Sequence, residues 1–390
     1  MLKDKAINIS EILLVTSLFL VVFVIGADSF IISPLLPAIS QAFQTTLPNT
    51  ALAVTIYALC YAVGAPFLGP LGDRFSQRLL LKVGLSLFLA GSLLCALASA
   101  ITQFYLFRGL AGIGAALTLP NVWATIGNRF TGKARNNVMG ITMSALSLSI
   151  AIGVPLGSWL AQLTDWHMMF WASAVLTVFP MFPLFFTPVG SITLNKKPVN
   201  YFTHFRRLFT TRHAALALLI NLSWMFGFYL MYTFLGAHLS QTFHLSAGQS
   251  GTIFMIYGLG NFISSFFAGL VTSAIGAHRS IILNGVFSVI LILGIGQFSN
   301  SLNWLMILLL LLSICQGLGV TALTTLIVGI APQNRSTMMA FNSASLYLAL
   351  TLASSLGGQI YTLYSFNGLN VVAAIGLAVA VLLTIRISTR

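Results

Sequence analysis

Twelve apolar stretches, each about as long as a bilayer is thick, follow one another with little between them. They cover approximately residues 12–36, 49–71, 79–99, 102–122, 136–163, 167–187, 213–238, 248–272, 280–299, 302–330, 336–360 and 365–386. A helix needs about 20 apolar residues to cross the hydrocarbon core. Lipid offers no partner to a backbone N–H or C=O, so each stretch must pair its own polar groups, and a helix does so within one segment. The expected fold class is therefore an all-α membrane protein of twelve transmembrane helices.

Composition agrees. The chain is 58% hydrophobic and 6% charged, against roughly 25% charged in soluble domains. The net charge of +13 does not indicate nucleic acid, because the bases lie in short gaps and form no soluble face. Lys3 and Lys5 precede the first stretch. Arg74, Arg78 and Lys82 separate the second and third, and Arg129, Lys133 and Arg135 the fourth and fifth. Lys196, Lys197, Arg206, Arg207 and Arg212 separate the sixth and seventh. Arg279, Arg335, Arg386 and Arg390 occupy the remaining even-numbered exits. With both termini in the cytoplasm, all of these lie on one side, as the positive-inside rule requires; Arg108, inside the fourth stretch, is the exception.

The first stretch is too long for a cleavable leader and no small-residue cleavage pattern follows it, so it is expected to be the first span. Cys60, Cys95 and Cys315 lie in apolar stretches without metal-ligand or disulfide spacing. No catalytic set, metal site or cofactor is expected. Asp165 and His167 form an external-loop pair expected to start a helix, not to act as a dyad. The chain reads as a non-enzyme.

The longest gap, 188–212, is expected to be a cytoplasmic linker between two six-helix parts, 1–187 and 213–390. These parts echo each other at an offset of 200 residues. Gly69 maps to Gly269, and Arg135, Met139, Leu146, Leu156 and Gly157 map to Arg335, Met339, Leu346, Leu356 and Gly357. Parallel repeats of this kind are known in transporters.

Two charges lie within spans. Asp28 stands about 16 residues into the first stretch, roughly 24 Å from its start. A carboxylate there costs about 2.5–3.5 kcal/mol to insert. It is either a group that binds and releases a proton or a structural cap on a helix broken near Pro34. Arg108 lies at a similar depth in the fourth stretch. It either interacts electrostatically with Asp28 and competes with a proton for it, or holds helices together through backbone carbonyls.

Several segments carry a resemblance. Gly69, Leu71, Asp73, Arg74 and Arg78 resemble the G-x-L-[SAG]-D-R-x-G-[RK]-R loop of the major facilitator superfamily, with Ser76 in place of the usual second Gly. Arg108, Gly112 and Gly114 resemble the R-x-x-x-G-x-G signature of that superfamily's fourth span. Asp28 followed nine residues later by Pro37 resembles the first-span motif of its drug:proton antiporters. Gly153, Pro155 and Gly157 resemble the antiporter motif G-x-x-x-G-P-x-x-G-G in altered order. The resemblance implies a twelve-span, drug-resistance or arabinose-efflux permease-like protein working by alternating access. Asp28 and Arg108 would couple protons, and Gly69, Gly72, Asp73, Arg74 and Arg78 would form a cytoplasmic gate, with Arg129, Lys133 and Arg135 as partners for Asp73.

A substrate cavity is expected from the uncharged polar and aromatic residues of the last six stretches: Asn221, Trp224, Tyr229, Tyr232, Tyr257, Asn261, Gln316, Asn342 and Tyr347. These suit a neutral, amphipathic or apolar solute, or an organic cation balanced by Asp28. The expected function is proton-coupled efflux of drugs or similar small compounds. The expected partners are that substrate, protons and the lipid bilayer, without nucleic acid, in a monomer of the bacterial inner membrane. The alternatives are a proton-linked exporter of sugars, nucleosides or amino acids, and a non-translocating receptor or lipid-handling scaffold.

Overall fold

The computed structural model describes residues 9–68, 71, 75–186, 213–330 and 335–387. Among these residues every regular element is a helix. The linker 188–212 and the loop residues Gly69, Gly72, Asp73 and Arg74 lie outside the described residues.

Twelve spans result. Span one is two helices, Ile9–Phe30 and Ile32–Ala42. Spans two to four are Leu47–Leu68, Gln77–Ala96 and Ile101–Arg129. Span five runs through Gly132–Leu148, a π turn at Ser149–Gly153, and Val154–Leu163. Spans six to ten are His167–Phe186, Ala214–Phe243, Ala247–Ile275, Ala277–Gln297 and Leu302–Ile330. The final helix, Arg335–Arg386, is interrupted at Ser365, whose φ is 58°. Its apolar part covers 49 residues, about 73 Å of helix, more than twice the hydrocarbon thickness of about 30 Å. Ser365 thus divides it into spans eleven and twelve.

The breaks have chemical causes. Pro34 has no N–H to offer the Phe30 carbonyl, and its ring crowds the preceding turn, so span one is interrupted at Ile31. Pro155, likewise without an N–H, stands two residues after the π turn of span five, whose wider turn ends with the Val154 N–H on the Ser149 carbonyl. The helices also outrun the apolar stretches. Span one reaches Ala42 and span four reaches Arg129, because helical hydrogen bonding continues past the hydrocarbon edge while an apolar count stops there. Arg129 accordingly ends a helix instead of lying in a loop, and its guanidinium is 3.8 Å from Glu11 at the start of span one.

Packing repeats between the first and last six spans. Spans one and six, two and four, three and four, and three and six are neighbours; so are seven with eleven and twelve, eight and ten, nine and ten, and nine and twelve. The two sets meet along two seams, span two against span eleven and span five against span eight, with span one against span seven between them. At the latter contact Ser33 donates to the Tyr232 carbonyl at 2.6 Å. Gly236 sits against the Ser33 and Pro34 backbone, where a side chain would collide.

Candidate functional site

The site is built around the broken stretch of span one. Asp28 lies one turn before the break, and its side chain faces the bundle. Gly112 allows span four to press directly on the Tyr57 backbone of span two. That approach brings Arg108, one turn earlier, to Asp28. Arg108 Nη1 is 2.6 Å from Asp28 Oδ2, and both side chains are wholly buried. Arg108 Nη2 makes a longer contact, 3.5 Å, with the Asp28 carbonyl. Two isolated charges would be prohibitive here; a close, hydrogen-bonded pair is the arrangement that offsets the desolvation cost. The guanidinium also lies 4.3 Å over the Tyr57 ring and 5.9 Å from that of Phe170, within cation–π range.

The pair is incompletely satisfied. Asp28 Oδ1 and Arg108 Nε have no hydrogen-bond partner among the described residues. An open lone pair on a buried carboxylate is a place for a proton to go.

Ser29, the next residue, is a junction. Its hydroxyl is 2.8 Å from the Ile25 carbonyl, 3.1 Å from the Tyr57 hydroxyl and 3.4 Å from the Tyr347 hydroxyl of span eleven. Tyr347 in turn stacks on Tyr61 at 3.6 Å. Beside this junction is the central cavity, lined by Ser29, Phe30, Ser33, Val54, Tyr229, Tyr232, Thr233 and Leu350. Its free volume is only ≈ 10 Å³, about the space one water needs. Around these residues spans one, two, seven and eleven thus leave room for no more than a water.

Not all of the expected cavity residues converge. Tyr229 and Tyr232 line the cavity, and Phe30 lies 6.1 and 5.6 Å from their rings. Tyr257 stands behind them, 5.7 Å from Tyr232. Asn221 donates to Ser345 at 2.7 Å and to the Asn342 carbonyl at 3.2 Å, tying span seven to span eleven. Trp224 donates to Gln316 at 2.8 Å, deep among the last six spans. Asn261 accepts from Ser147 at 3.3 Å on the seam between spans five and eight. Asn342 Oδ1, Gln316 Nε2 and the Tyr232 hydroxyl stay buried without partners among the described residues.

Gly153, Pro155 and Gly157 lie where span five meets spans one and eight. A Cβ on Gly153 would be 2.8 Å from that of Ala27, and one on Gly157 would be 2.9 Å from Ile31 Cδ1. Pro155 Cα lies 3.2 Å from where a Gly251 side chain would begin. Of the charged residues of the loop signature, Arg78 is described: it donates to the Phe185 carbonyl, and Lys82 Nζ stands 4.4 Å over the Phe185 ring. Both bases thus cap the end of span six. On the opposite side, Asp165 accepts from the His167 backbone N–H at 2.7 Å, starting span six.

Sequence reasoning missed Ser29, Phe30, Tyr57 and Tyr61. The 200-residue echo held a signal for two of them: it places Tyr57 and Tyr61 opposite Tyr257 and Asn261, which were singled out for their chemistry.

A twelve-span helical bundle in two matching sets of six, with a buried ion pair and a small cavity where the sets meet, is the build of a membrane transporter. The sequence profile of the Major Facilitator Superfamily matches residues 18–238 and 216–390. The chain belongs to this superfamily, and is a multi-pass membrane transporter and not an enzyme. It is 32% identical over 374 residues to YwfA, an uncharacterized MFS-type transporter of Bacillus subtilis, covering 93% of this chain and 89% of that one. It is also 32% identical over 159 residues to the multidrug transporter protein MdtP of the same organism, covering 41% of this chain and 29% of that one. In fold it is similar to the human organic anion transporter MFSD10, with a TM-score of 0.73, 17% identity, and coverage of 95% and 99% of the two chains.

Proposed function

We propose that the protein is a proton-coupled efflux transporter for drugs or other small amphipathic compounds. The observation that carries this reading is the Asp28–Arg108 pair, wholly buried beside the central cavity with one carboxylate oxygen unpartnered. In the proposed cycle the two six-span sets rock about the cavity. A proton from outside adds to Asp28, the attraction holding Arg108 weakens, and the substrate leaves. Release of the proton inward restores the pair. The sign follows from the charge: a neutral Asp28 no longer balances Arg108, so the protonated and unprotonated proteins favour different packings.

Amphipathic substrates are supported by the lining of Phe30, Tyr229 and Tyr232 rings with Ser29 and Ser33 hydroxyls, and by the similarity to a multidrug transporter over part of the chain. Export is supported by the glycine-and-proline pattern at Gly153, Pro155 and Gly157. The loop from Gly69 to Arg78 is assigned the cytoplasmic gate, with both termini on that side of a bacterial cell membrane.

The test uses protein in liposomes with an interior pH dye and an imposed proton gradient. Lipophilic cations, neutral drugs and pentoses are added in turn. Substrate-triggered proton movement in the wild type, lost at least about tenfold in Asp28→Asn, is the expected result. Proton movement that survives in Asp28→Asn overturns coupling at this residue, and a response to pentoses alone overturns the drug class.

A further inference from the structure

Asp28 and Arg108 both belong to the first six spans, so their charge state alone moves nothing between the two sets. Alternating access needs a contact that carries it across. Spans one and seven meet through Ser33 on backbone carbonyls and through the Phe30 ring on Tyr229 and Tyr232, contacts that do not include the Asp28 or Arg108 side chain. The span five–span eight seam meets through glycines and through hydrogen bonds of Ser147, Trp159 and Gln162 that involve neither Asp28 nor its neighbour Ser29. The span two–span eleven seam is different: Tyr347 of span eleven reaches the hydroxyl of Ser29, the residue adjoining Asp28.

Ser29 has one proton to give. Its hydroxyl stands within hydrogen-bond distance of the Ile25 carbonyl and of the Tyr57 and Tyr347 hydroxyls, so the three compete for it. The Tyr57 ring carries Arg108 on its face. A shift of Arg108 toward or away from Asp28 therefore moves the Tyr57 ring or its polarity, and with it the partner Ser29 selects. Tyr347 either keeps or loses its contact. Because Tyr347 also stacks on Tyr61, its position sets how closely span eleven sits on span two.

We infer that Tyr347 is the positioning residue that transmits the charge state of Asp28 across the span two–span eleven seam. This rests on the proposed coupling role of Asp28 and adds the mechanical link to it. The titratable groups facing Asp28 and Arg108 are Tyr57 from span two, Cys95 from span three and Tyr347 from span eleven. Tyr229 of span seven faces Tyr347 from the other side. None of the others both contacts Ser29 and belongs to the last six spans.

The test reads the seam directly and needs no substrate. Gly358 of span eleven packs on Pro48 of span two, with 2.7 Å between a Gly358 Cβ and Pro48 Cα. Thr46 and Gln359 are exposed beside this contact. Spin labels are attached at Thr46→Cys and Gln359→Cys in full-length protein whose three native cysteines are replaced by alanine. Distance distributions are recorded in lipid nanodiscs across pH 5 to 9, a range spanning about four pH units around neutrality. In the wild type the ratio of close to distant populations is expected to change about tenfold or more with pH, and Asp28→Asn is expected to abolish that change. Tyr347→Phe keeps the ring and its stacking on Tyr61 but lacks the hydroxyl. It is expected to reduce the pH response below about twofold without lowering the melting temperature. Ser29→Ala, which removes the other end of the same contact, is expected to do likewise.

A Tyr347→Phe protein that titrates as the wild type does overturns the inference and leaves coupling at Asp28 standing. A wild-type seam that ignores pH, with Asp28→Asn identical to it, overturns both.

Discussion

The two seams that join the first six spans to the last six are counterparts in position and opposites in chemistry. The pair Tyr61 and Tyr347 on the span two–span eleven seam corresponds, 200 residues on or back, to Asn261 and Ser147 on the span five–span eight seam. The first pair stacks rings at 3.6 Å; the second shares a hydrogen bond of 3.3 Å. Around the tyrosines the seam is polar, with Thr55 and Ser354 hydroxyls 2.8 Å apart and the Ser29 junction at its inner edge. The other seam is close backbone packing at its centre, with side-chain hydrogen bonds from Ser147, Trp159 and Gln162 along its length. Gly258 lies directly on Ala151 in the π turn, and a Cβ on Gly251 would fall 2.6 Å from that of Ser158. Glycine contacts gain by proximity and dispersion, and nothing in them changes with a proton. Hydroxyl and ring contacts next to a buried charge do change. One repeat has thus yielded a seam suited to close, constant contact and another suited to responding.

The largest effect is expected from filling the glycine seam. Gly258→Leu places a side chain where the Ala151 backbone runs, and backbone cannot give way as a side-chain tip does. Overpacking of this sort costs about 1–3 kcal/mol even where neighbours relax. We expect the close span five–span eight contact to be lost and transport in liposomes to fall by about 10²-fold, with the protein still inserted. Gly269→Ala is the control on the same span: its Cβ meets nothing within 4 Å, and it should leave transport unchanged. Equal activity of Gly258→Leu and Gly269→Ala would mean that spans five and eight need not touch during the cycle.

This seam also shows how much could be read beforehand. The span count and the topology followed from apolar length and from where eighteen bases fall, because the bilayer imposes both directly. Asp28 and Arg108 stood out because a charge in lipid demands a reason. Gly153 and Gly157, which pack on Ala27 and Ile31 of span one, were visible, but Gly251 and Gly258, which meet Ser158 and Ala151 across the seam, were not. A glycine in an apolar helix has no chemistry to flag it, and its role depends on what passes opposite. The cavity residues divided for the same reason. Tyr229 and Trp224 have similar amphipathic character, yet a helix turn and a half separates facing the cavity from facing Gln316. Which side of an all-apolar helix looks inward is not encoded in polarity when lipid and core are equally apolar.

Stability, where transport was the readout for the glycine seam, tests the charge that lies beside the tyrosine seam. Removing one member of a buried pair strands the other, at a cost of about 3–5 kcal/mol, whereas removing both is often close to neutral. Arg108→Met is therefore expected to lower the melting temperature sharply. The double variant Arg108→Met with Asp28→Asn should recover most of that loss while remaining unable to move protons. A thermal denaturation series in detergent measures this. Equal destabilisation in the single and double variants would show that Arg108 stabilises through its stacking on Tyr57 and not through Asp28.

The smallest effect isolates one hydrogen bond of the responsive seam. Thr55 and Ser354 face each other across spans two and eleven, each also bonding its own helix, to the Ala51 and Leu350 carbonyls. Thr55→Val and Ser354→Ala each remove one hydroxyl without opening much space. Interhelical hydrogen bonds in membranes average about 0.6 kcal/mol in double-mutant cycles, since each hydroxyl keeps its own helix carbonyl as an alternative. A coupling of that order is expected, read as a change of about threefold in the close-to-distant ratio of the Thr46 and Gln359 labels. It should act equally at every pH, because neither hydroxyl touches Asp28 or Arg108. That constancy sets it apart from Tyr347→Phe, whose effect should appear only where Asp28 changes charge. If Thr55→Val also flattened the pH response, the seam would respond as a whole, and the link would not reside in the Tyr347 hydroxyl.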